Sequence, residues 1–457
     1  MKDRFGHDPR KVRGTRFWRR PHMGRRMFFR HMATAMSGYF LLPGSRPGES
    51  VAQAAATPIG SAKNVIFIFL TGAPSHTDTF DLKEGPWLPA FMNPTSYGDV
   101  RFPQGLMPKI ADQINDVAFV RSLQAYATAH GLAQNWVQIG RNPVQGLNRI
   151  APHLGSVVAM ELGAQSENRT LPAFISLNAS NGPGASFLPP EDEPFYVSPG
   201  GGGLANTTHP DGAAALDRRF GLAMSLDTEI SASEPFGGAT ADLNQFRNKA
   251  RLMMYNGAIT NVFNFDQTTR NAYGNTGFGN ACITARNLLR SNLGTRFIQI
   301  SFGSWDHHGA IYAANANLQN MARQFDNGLG QLIADLKADG TFDSTLIVAI
   351  GEFGRTVGAL NTTAGRDHHV QQSVMLAGAR IKGGRAIGRT NAAGDLVADP
   401  GWAGNRAVRN EDIEATIYSA LGIDWTKVLH ASFLGRGFEY VPSSDQYTFQ
   451  PIHELWS

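Results

Sequence analysis

Short apolar runs, rich in β-branched and aromatic residues, recur along the chain and end in glycine or proline. Asn64 to Leu70 (NVIFIFL) stops at Gly72, Ala73 and Pro74. Arg296 to Phe302 (RFIQISF) stops at Gly303, Thr345 to Ile350 (TLIVAI) at Gly351, and Ser373 to Ala377 (SVMLA) at Gly378. Runs of this length without polar alternation predict strands buried on both faces, the first of them a parallel strand delivering a loop. Between them a helical period appears: Leu318, Met321, Phe325, Leu329, Leu332 and Leu336 predict an amphipathic helix over 317–339. Alternating strands and helices predict an α/β sheet covered on both faces, with ligands beyond the carboxyl ends of its strands.

The stretch from about 178 to 240 breaks this rhythm and reads as an insertion or cap over the sheet. Its run Gly200 to Gly203 lacks a following lysine and a preceding strand. That argues against a phosphate-binding loop and for a flexible surface loop.

Composition narrows the classes. The chain has 457 residues, 42% hydrophobic and 17% charged, enough for a large core and unlike a disordered or coiled-coil sequence. A single cysteine, Cys282, leaves neither an intramolecular disulfide nor a cysteine-rich zinc site. Charge is uneven. Of the whole-chain +4, residues 1–56 carry +9, which leaves about −5 on the rest. The body is mildly acidic, so no nucleic-acid partner is expected.

The basic leader contains Arg25 and Arg26, then a modest apolar run from Met32 to Leu42, then the small residues 52–56 (AQAAA). This order resembles a twin-arginine signal peptide over 1–56. It implies the twin-arginine export machinery as a partner and a periplasmic or secreted mature protein over 57–457. The apolar run is too short for a permanent membrane span.

Chemistry collects where the strands end. TGAPSHTDTFD brings Ser75, His76 and Asp78; SWDHHG brings Asp306, His307 and His308; GEFGRT brings Glu352 and Arg355; GRDHH brings Asp367, His368 and His369. Any one of these has an ordinary reading as a turn, a cap or an ion pair. Four separate loops supplying carboxylate and imidazole groups to one sheet edge point instead to a divalent ion, with zinc, manganese, iron and calcium all open.

The strings GAPSHTDTFD, ACITARNLLRSNLGTRFIQISFGSWDHHG, STLIVAIGEFGRT, GRDHH and AGARIKGGRAIGRT, with the late EATIYSALGID and PIHELW, resemble the domain of unknown function 1501 family. That family is similar in turn to the alkaline phosphatase and sulfatase superfamily. The resemblance implies an alkaline-phosphatase-like three-layer α/β sandwich with a mostly parallel central sheet and an inserted cap. Asp306 and His308 then correspond to ligands of one metal, Glu352 to a ligand of another, and His368 or His369 to a late imidazole ligand; His76, Asp78 and Asp367 complete the candidate metal set. Phe353 stands where a further imidazole is usual, and Thr71 and Gly72 where the first strand usually ends in aspartate. The nucleophile region is similar to TAHGLAQNWVQIGR (128–141), where Ala129 or His130 occupies the expected position and Thr128 and Ser75 are nearby hydroxyls. Arg355 or His130 would steady developing negative charge. The implied activity is hydrolysis of phosphate or sulfate esters of small molecules or polysaccharide. The alternative is a non-catalytic metal-binding or assembly protein that retains the fold.

Overall fold

A computed structural model of the chain describes residues 56–457 except 145–150, 167, 234–238, 314–316, 431–436 and 444–446. The chain divides into units 1–56 and 57–457. The expected export signal therefore lies outside the described residues. Among the described residues no helix is long and apolar enough to cross a membrane.

The core is an eight-stranded sheet. Its strands are β1 (Asn64–Phe69), β2 (Val117–Gln124), β3 (Phe174–Leu177), β4 (Phe195–Val197), β5 (Phe297–Ser301), β6 (Thr345–Ile350), β7 (Gln371–Gly378) and β8 (Arg385–Ile387). The order across the sheet is β8-β2-β7-β6-β1-β5-β3-β4. Neighbouring strands are parallel except at β7, which runs antiparallel to both β2 and β6. The sheet is thus mostly parallel, and the four apolar runs seen in the sequence are four of its strands. The reversed strand has a positional consequence. The GRDHH segment precedes β7, so it reaches the same edge as the segments that follow β1, β5 and β6.

Alternate side chains face opposite layers, as the pleat requires. Ile66, Ile68, Ile298, Ile300, Ile347, Ala349, Met375 and Ala377 pack into one continuous core. The helices on that side are α6 (Gly277–Ser291) and α7 (Asn317–Ala338), the latter through the six apolar residues at helical spacing. On the opposite side lie α1 (His130–Ile139) and α2 (Leu154–Leu162). Gln299 of β5 donates to Gln138 of α1 (3.3 Å), and the His153 ring at the start of α2 sits against Phe174 and Phe297 (4.8 and 5.8 Å). His153 Nδ1 accepts from the Gly155 N–H (2.8 Å) and caps α2, while burial pushes its pKa down to about 3, so the ring is neutral.

The insertion differs from its expected form. Phe195–Val197 pairs with β3 as the edge strand, and three residues are too few to show a period. Gly200–Gly203 is tied rather than free: Phe265 N–H donates to Gly201 O (3.1 Å) and Gly203 N–H to Phe263 O (3.1 Å). The helices α3 (Ala213–Ser233), α4 (Ala239–Met253) and the short α5 (Gly257–Phe263) follow. Gln245, Asn248 and Lys249 of α4 line a cavity of about 430 Å³ together with Leu171–Ala173 and Gly294. Those last residues precede β3 and β5, so α4 stands at the amino edge of the sheet, away from the loops that carry the chemistry.

A wholly buried helix, α8 (Asn410–Ala420), holds three carboxyls, Glu411, Asp412 and Glu414. Glu411 Oε1 accepts from Trp136 Nε1 (3.0 Å) and Glu414 Oε1 from the Tyr418 hydroxyl (2.9 Å). Burial pushes Glu411 up to about 7, with the Trp136 hydrogen bond opposing and the Asp412 charge adding to the rise; burial likewise pushes Glu414 up to about 8, with Arg141 opposing and Glu411 adding. Raised acid pKa values place the stabilising contribution below the ordinary carboxyl range and remove it as pH climbs through 7 and 8. The melting temperature should therefore fall between pH 5 and pH 8.5, and Glu414→Gln should shallow that fall. A thermal scan at both pH values checks this, and an unchanged slope in the variant contradicts it.

Candidate metal centre

Four loops meet at the carboxyl edge between β2, β6, β1 and β5. His130 is the first residue of α1, delivered by the segment after β2. Asp306 and His308 follow β5, Glu352 and Arg355 follow β6, and His368 precedes the reversed β7. One donor atom each from His130, Asp306, His308 and His368 lies within 4.8 Å of the others.

Orientation of the three imidazoles decides what this cluster can hold. His130 Nδ1 is 2.7 Å from Glu352 Oε1, His308 Nδ1 is 3.1 Å from Asp367 Oδ1, and His368 Nδ1 is 2.7 Å from the Thr128 carbonyl oxygen. Carboxylates and carbonyls accept, so each Nδ1 carries the hydrogen and Nε2 is the atom turned outward, with a lone pair in the Nδ1–H tautomer. These three Nε2 atoms surround Asp306 Oδ1, at 3.4 Å for His130, 2.9 Å for His308 and 3.6 Å for His368. His308 Nε2 and His368 Nε2 are 3.0 Å apart. Lone pairs facing one another and a carboxylate oxygen repel unless a cation or a proton lies among them. His130 Nε2, buried, has no hydrogen-bond partner at all.

The spacing fits an ion. Ligand bonds of about 2.0–2.1 Å place tetrahedral donors roughly 3.3 Å apart, and the measured separations fall on both sides of that value. Imidazole nitrogen with one carboxylate oxygen suits zinc, manganese or iron better than calcium, which prefers an all-oxygen shell. Asp306 is 44% exposed, so the centre opens to solvent on one side and leaves room for a further ligand.

Glu352 is fully buried and serves the cluster indirectly. Its Oε1 accepts from His130 Nδ1, from Gln134 Nε2 (3.1 Å) and from the Gly72 N–H (2.9 Å). Gly72, at φ +99°, lets β1 end in a bend whose backbone touches the loop opposite; a Cβ there would lie 2.7 Å from the Asp306 backbone nitrogen. Gly365 works the same way, since a Cβ would lie 2.0 Å from the His308 carbonyl carbon. Phe353 packs against His130 and His368 at 4.8 and 4.5 Å, filling the side where the resemblance expected a further imidazole.

Arg355 is 1% exposed and fixed by backbone carbonyls. Its Nε donates to Ala73 O (2.9 Å), Nη2 to Gly72 O and Asp306 Oδ1, and Nη1 to Arg366 O (3.3 Å) and towards His308 Nε2 (3.3 Å). Partial burial pushes the Asp306 carboxyl up, but the Arg355 hydrogen bond and charge, with His308 and His130, outweigh it and hold the group below the usual carboxylate range. Desolvation, with the positive field of Arg355, holds His368 below the ordinary imidazole value, against the pull of its Thr128 hydrogen bond.

Other expected ligands are engaged elsewhere. Asp78 forms a fully buried pair with Arg366 (2.6 and 3.2 Å) and accepts the Tyr312 hydroxyl (2.5 Å). His76 donates from Nε2 to Gly394 O (2.8 Å) and accepts the Arg355 N–H at Nδ1 (3.4 Å), and burial lowers its pKa to about 4. Both nitrogens of His76 and both oxygens of Asp78 are spent, so neither reaches the cluster. Glu352 and Asp367 stand one bond further out, as acceptors of ligand imidazoles, and His369 accepts from the Gln371 N–H (3.0 Å). Ser75 is buried against the Thr77 hydroxyl (3.4 Å), and Thr128 meets His368 through its carbonyl. His307 lies buried beside Trp305 (6.2 Å between rings). The sequence placed His130 at a nucleophile position rather than among ligands, and missed Gln134 and the Thr128 carbonyl. A backbone acceptor has no residue-type signature.

Residues 62–448 match the model of a family described as a protein of unknown function, DUF1501. The chain belongs to that family. No curated protein matches the chain. Among solved structures, this family member is similar to a complex of Ps i-CgsB with k-i-k-neocarrahexaose (13% identity, TM-score 0.40, covering 86% of this chain and 76% of that one). It is also similar to the lipoteichoic acid synthase LtaP from Listeria monocytogenes (10%, 0.36, 81% and 76%) and to the PsFucS1 sulfatase from Pseudoalteromonas sp. (12%, 0.38, 80% and 68%).

The different surroundings of the two aspartates are separable by experiment. In chelator-treated protein Asp78→Ala, which strands a buried arginine, should cost about 3–5 kcal/mol of unfolding free energy. Asp306→Ala, at an open carboxylate, should cost no more than about 1–2 kcal/mol. Urea unfolding of both variants measures this, and equal losses would mean that Asp306 is mainly structural.

Proposed function

We propose that this protein is an exported metal-dependent hydrolase of phosphate or sulfate esters, with His130, Asp306, His308 and His368 as the metal ligands. One observation carries the reading: three imidazoles, each fixed through Nδ1, turn their Nε2 lone pairs towards one carboxylate oxygen at a solvent-open strand edge. A divalent ion bound there would supply Lewis-acid polarisation of an ester oxygen.

The remaining groups are suited to an anionic ester. Glu352 and Asp367 hold His130 and His308 in the tautomer that keeps Nε2 available, and the Thr128 carbonyl does the same for His368. The amino end of α1 opens at the cluster, and its first-turn N–H groups and dipole favour negative charge. Arg355 adds a fixed guanidinium whose hydrogen bonds can follow charge developing on the leaving or non-bridging oxygens. Ser75 is sealed away from this place, so a water attacking the ester is favoured over a serine nucleophile.

Protein isolated after export should carry zinc, manganese or iron by elemental mass spectrometry and should hydrolyse an aryl phosphate or an aryl sulfate. Asp306→Ala should lose the metal and lower turnover at least about 100-fold, and Glu352→Gln should weaken metal binding about 10–100-fold. Protein without bound metal would remove the reading. Metal without turnover on any ester would leave the non-catalytic binding or assembly role.

Export rests on the leader alone. Replacing Arg25 and Arg26 by lysine should leave the protein in the cytoplasm, as fractionation and immunoblotting would show, whereas undiminished export would overturn the twin-arginine route.

A further inference from the structure

We infer that the centre takes a single divalent ion, and that the Arg355 guanidinium stands in for a second one by hydrogen-bonding a substrate oxyanion. This rests on the metal-centre reading above and adds to it the number of ions and the group that receives the anion.

Most of the carboxylate oxygens a second ion would need are committed. Asp78 is neutralised by Arg366 and Tyr312. Asp367 Oδ1 accepts from His308 Nδ1 and from Asn361 Nδ2 (3.1 Å), and Glu352 Oε1 accepts three donors. Glu352 Oε2 is buried with no protein donor, but among the described residues Glu352 belongs to no convergent group of three or more His, Cys, Asp or Glu donors. At the end of β1, Gly72 leaves no room for a ligating side chain, because a Cβ would press on the Trp305 and Asp306 backbone nitrogens at 2.7 Å. Among the described residues one group only of three or more His, Cys, Asp or Glu donors converges.

Arg355 occupies the flank where a second cation would lie. Its Nη2 is 2.5 Å from Asp306 Oδ1, the oxygen shared by the cluster. A fixed positive charge so close repels a second metal, and Ala73 O, Gly72 O and Arg366 O prevent the side chain from swinging away.

Counting its donors identifies the one that serves substrate. Guanidinium offers five N–H groups. Three go to backbone carbonyls, one to Asp306, and the fifth, on Nη1, points to His308 Nε2 at 3.3 Å. That nitrogen has one lone pair. Once the lone pair is spent on an ion, the Nη1–H has no acceptor in the protein and is left pointing into the open side of the centre. A tetrahedral oxyanion beside the ion is the acceptor that restores the bond, and a charged pair of this kind is strong and directional. Phosphate and sulfate groups share that chemistry.

The test uses the full chain, exported and then equilibrated with zinc or manganese. Elemental mass spectrometry should give about one ion per chain at saturation. Two ions would overturn this inference while leaving the metal-centre reading intact; none would remove that reading itself. In the second arm, inorganic phosphate and inorganic sulfate are titrated calorimetrically into metal-loaded protein, and the tighter anion identifies the ester class. Arg355→Ala should keep its single ion and bind that anion at least about tenfold more weakly. Arg355→Lys, which preserves the charge and the fold but not the fork, should fall between the two and serves where the alanine variant does not fold. Unchanged anion affinity in both variants, or no anion binding by the metal-loaded wild type, would overturn the inference.

Discussion

Everything at the carboxyl edge depends on where three imidazole hydrogens go. Each Nδ1–H is taken by an acceptor behind the ring: Glu352, Asp367 or the Thr128 carbonyl. Three lone pairs are thereby forced towards Asp306 Oδ1, an arrangement that water stabilises poorly and a cation stabilises well. Turning one ring over would satisfy its Nε2 but take a donor from its partner, and for His130 that partner is the buried Glu352 carboxylate.

The fold makes this arrangement rigid by tying its loops to one another. Gly72 N–H holds Glu352 while Gly72 O holds Arg355, so the bend after β1 joins the acceptor behind His130 to the guanidinium beside Asp306. Arg366 N–H donates to His307 O (2.9 Å), and Asn361 Nδ2 to His308 O (3.3 Å), which locks the loop after β5 to the segment leading into β7. The buried Asp78–Arg366 pair anchors that segment from below. The Arg366 carbonyl in turn accepts from Arg355 Nη1 (3.3 Å).

Much of this was legible in the sequence, for particular reasons. β1 and β6 are buried on both faces and read as apolar runs, β5 as one interrupted by Gln299, and the loops after them carry their chemistry within a few residues of each strand end. The 3.6-residue period of α7 is equally plain. The direction of β7 is not, because parallel and antiparallel buried strands have the same composition; only the sheet shows why a segment before a strand shares an edge with segments after others. The candidate ligand set was less legible than the cluster. Asp78 and Asp306 look alike as loop aspartates, and what separates them is Arg366, 288 positions away from Asp78 along the chain. His130 has no neighbouring motif residue; its role follows from β2, whose edge places it opposite Glu352.

Burial is the variable that sorts the charged groups. Asp78 and Glu352 are sealed; both oxygens of Asp78 and Oε1 of Glu352 are held by protein donors. Asp306 and His308 face solvent, where a donor left unpaired costs little in the free protein and remains available. Arg355 combines the two conditions: its stem and fork are buried and fixed, while one N–H points to Nε2 of the half-exposed His308. A lysine could carry the same charge but could not spend three hydrogen bonds on carbonyls and still present one at a set angle, because its ammonium has three donors in all. The requirement for a planar fork at this position therefore follows from the bond count, independently of which anion the centre receives.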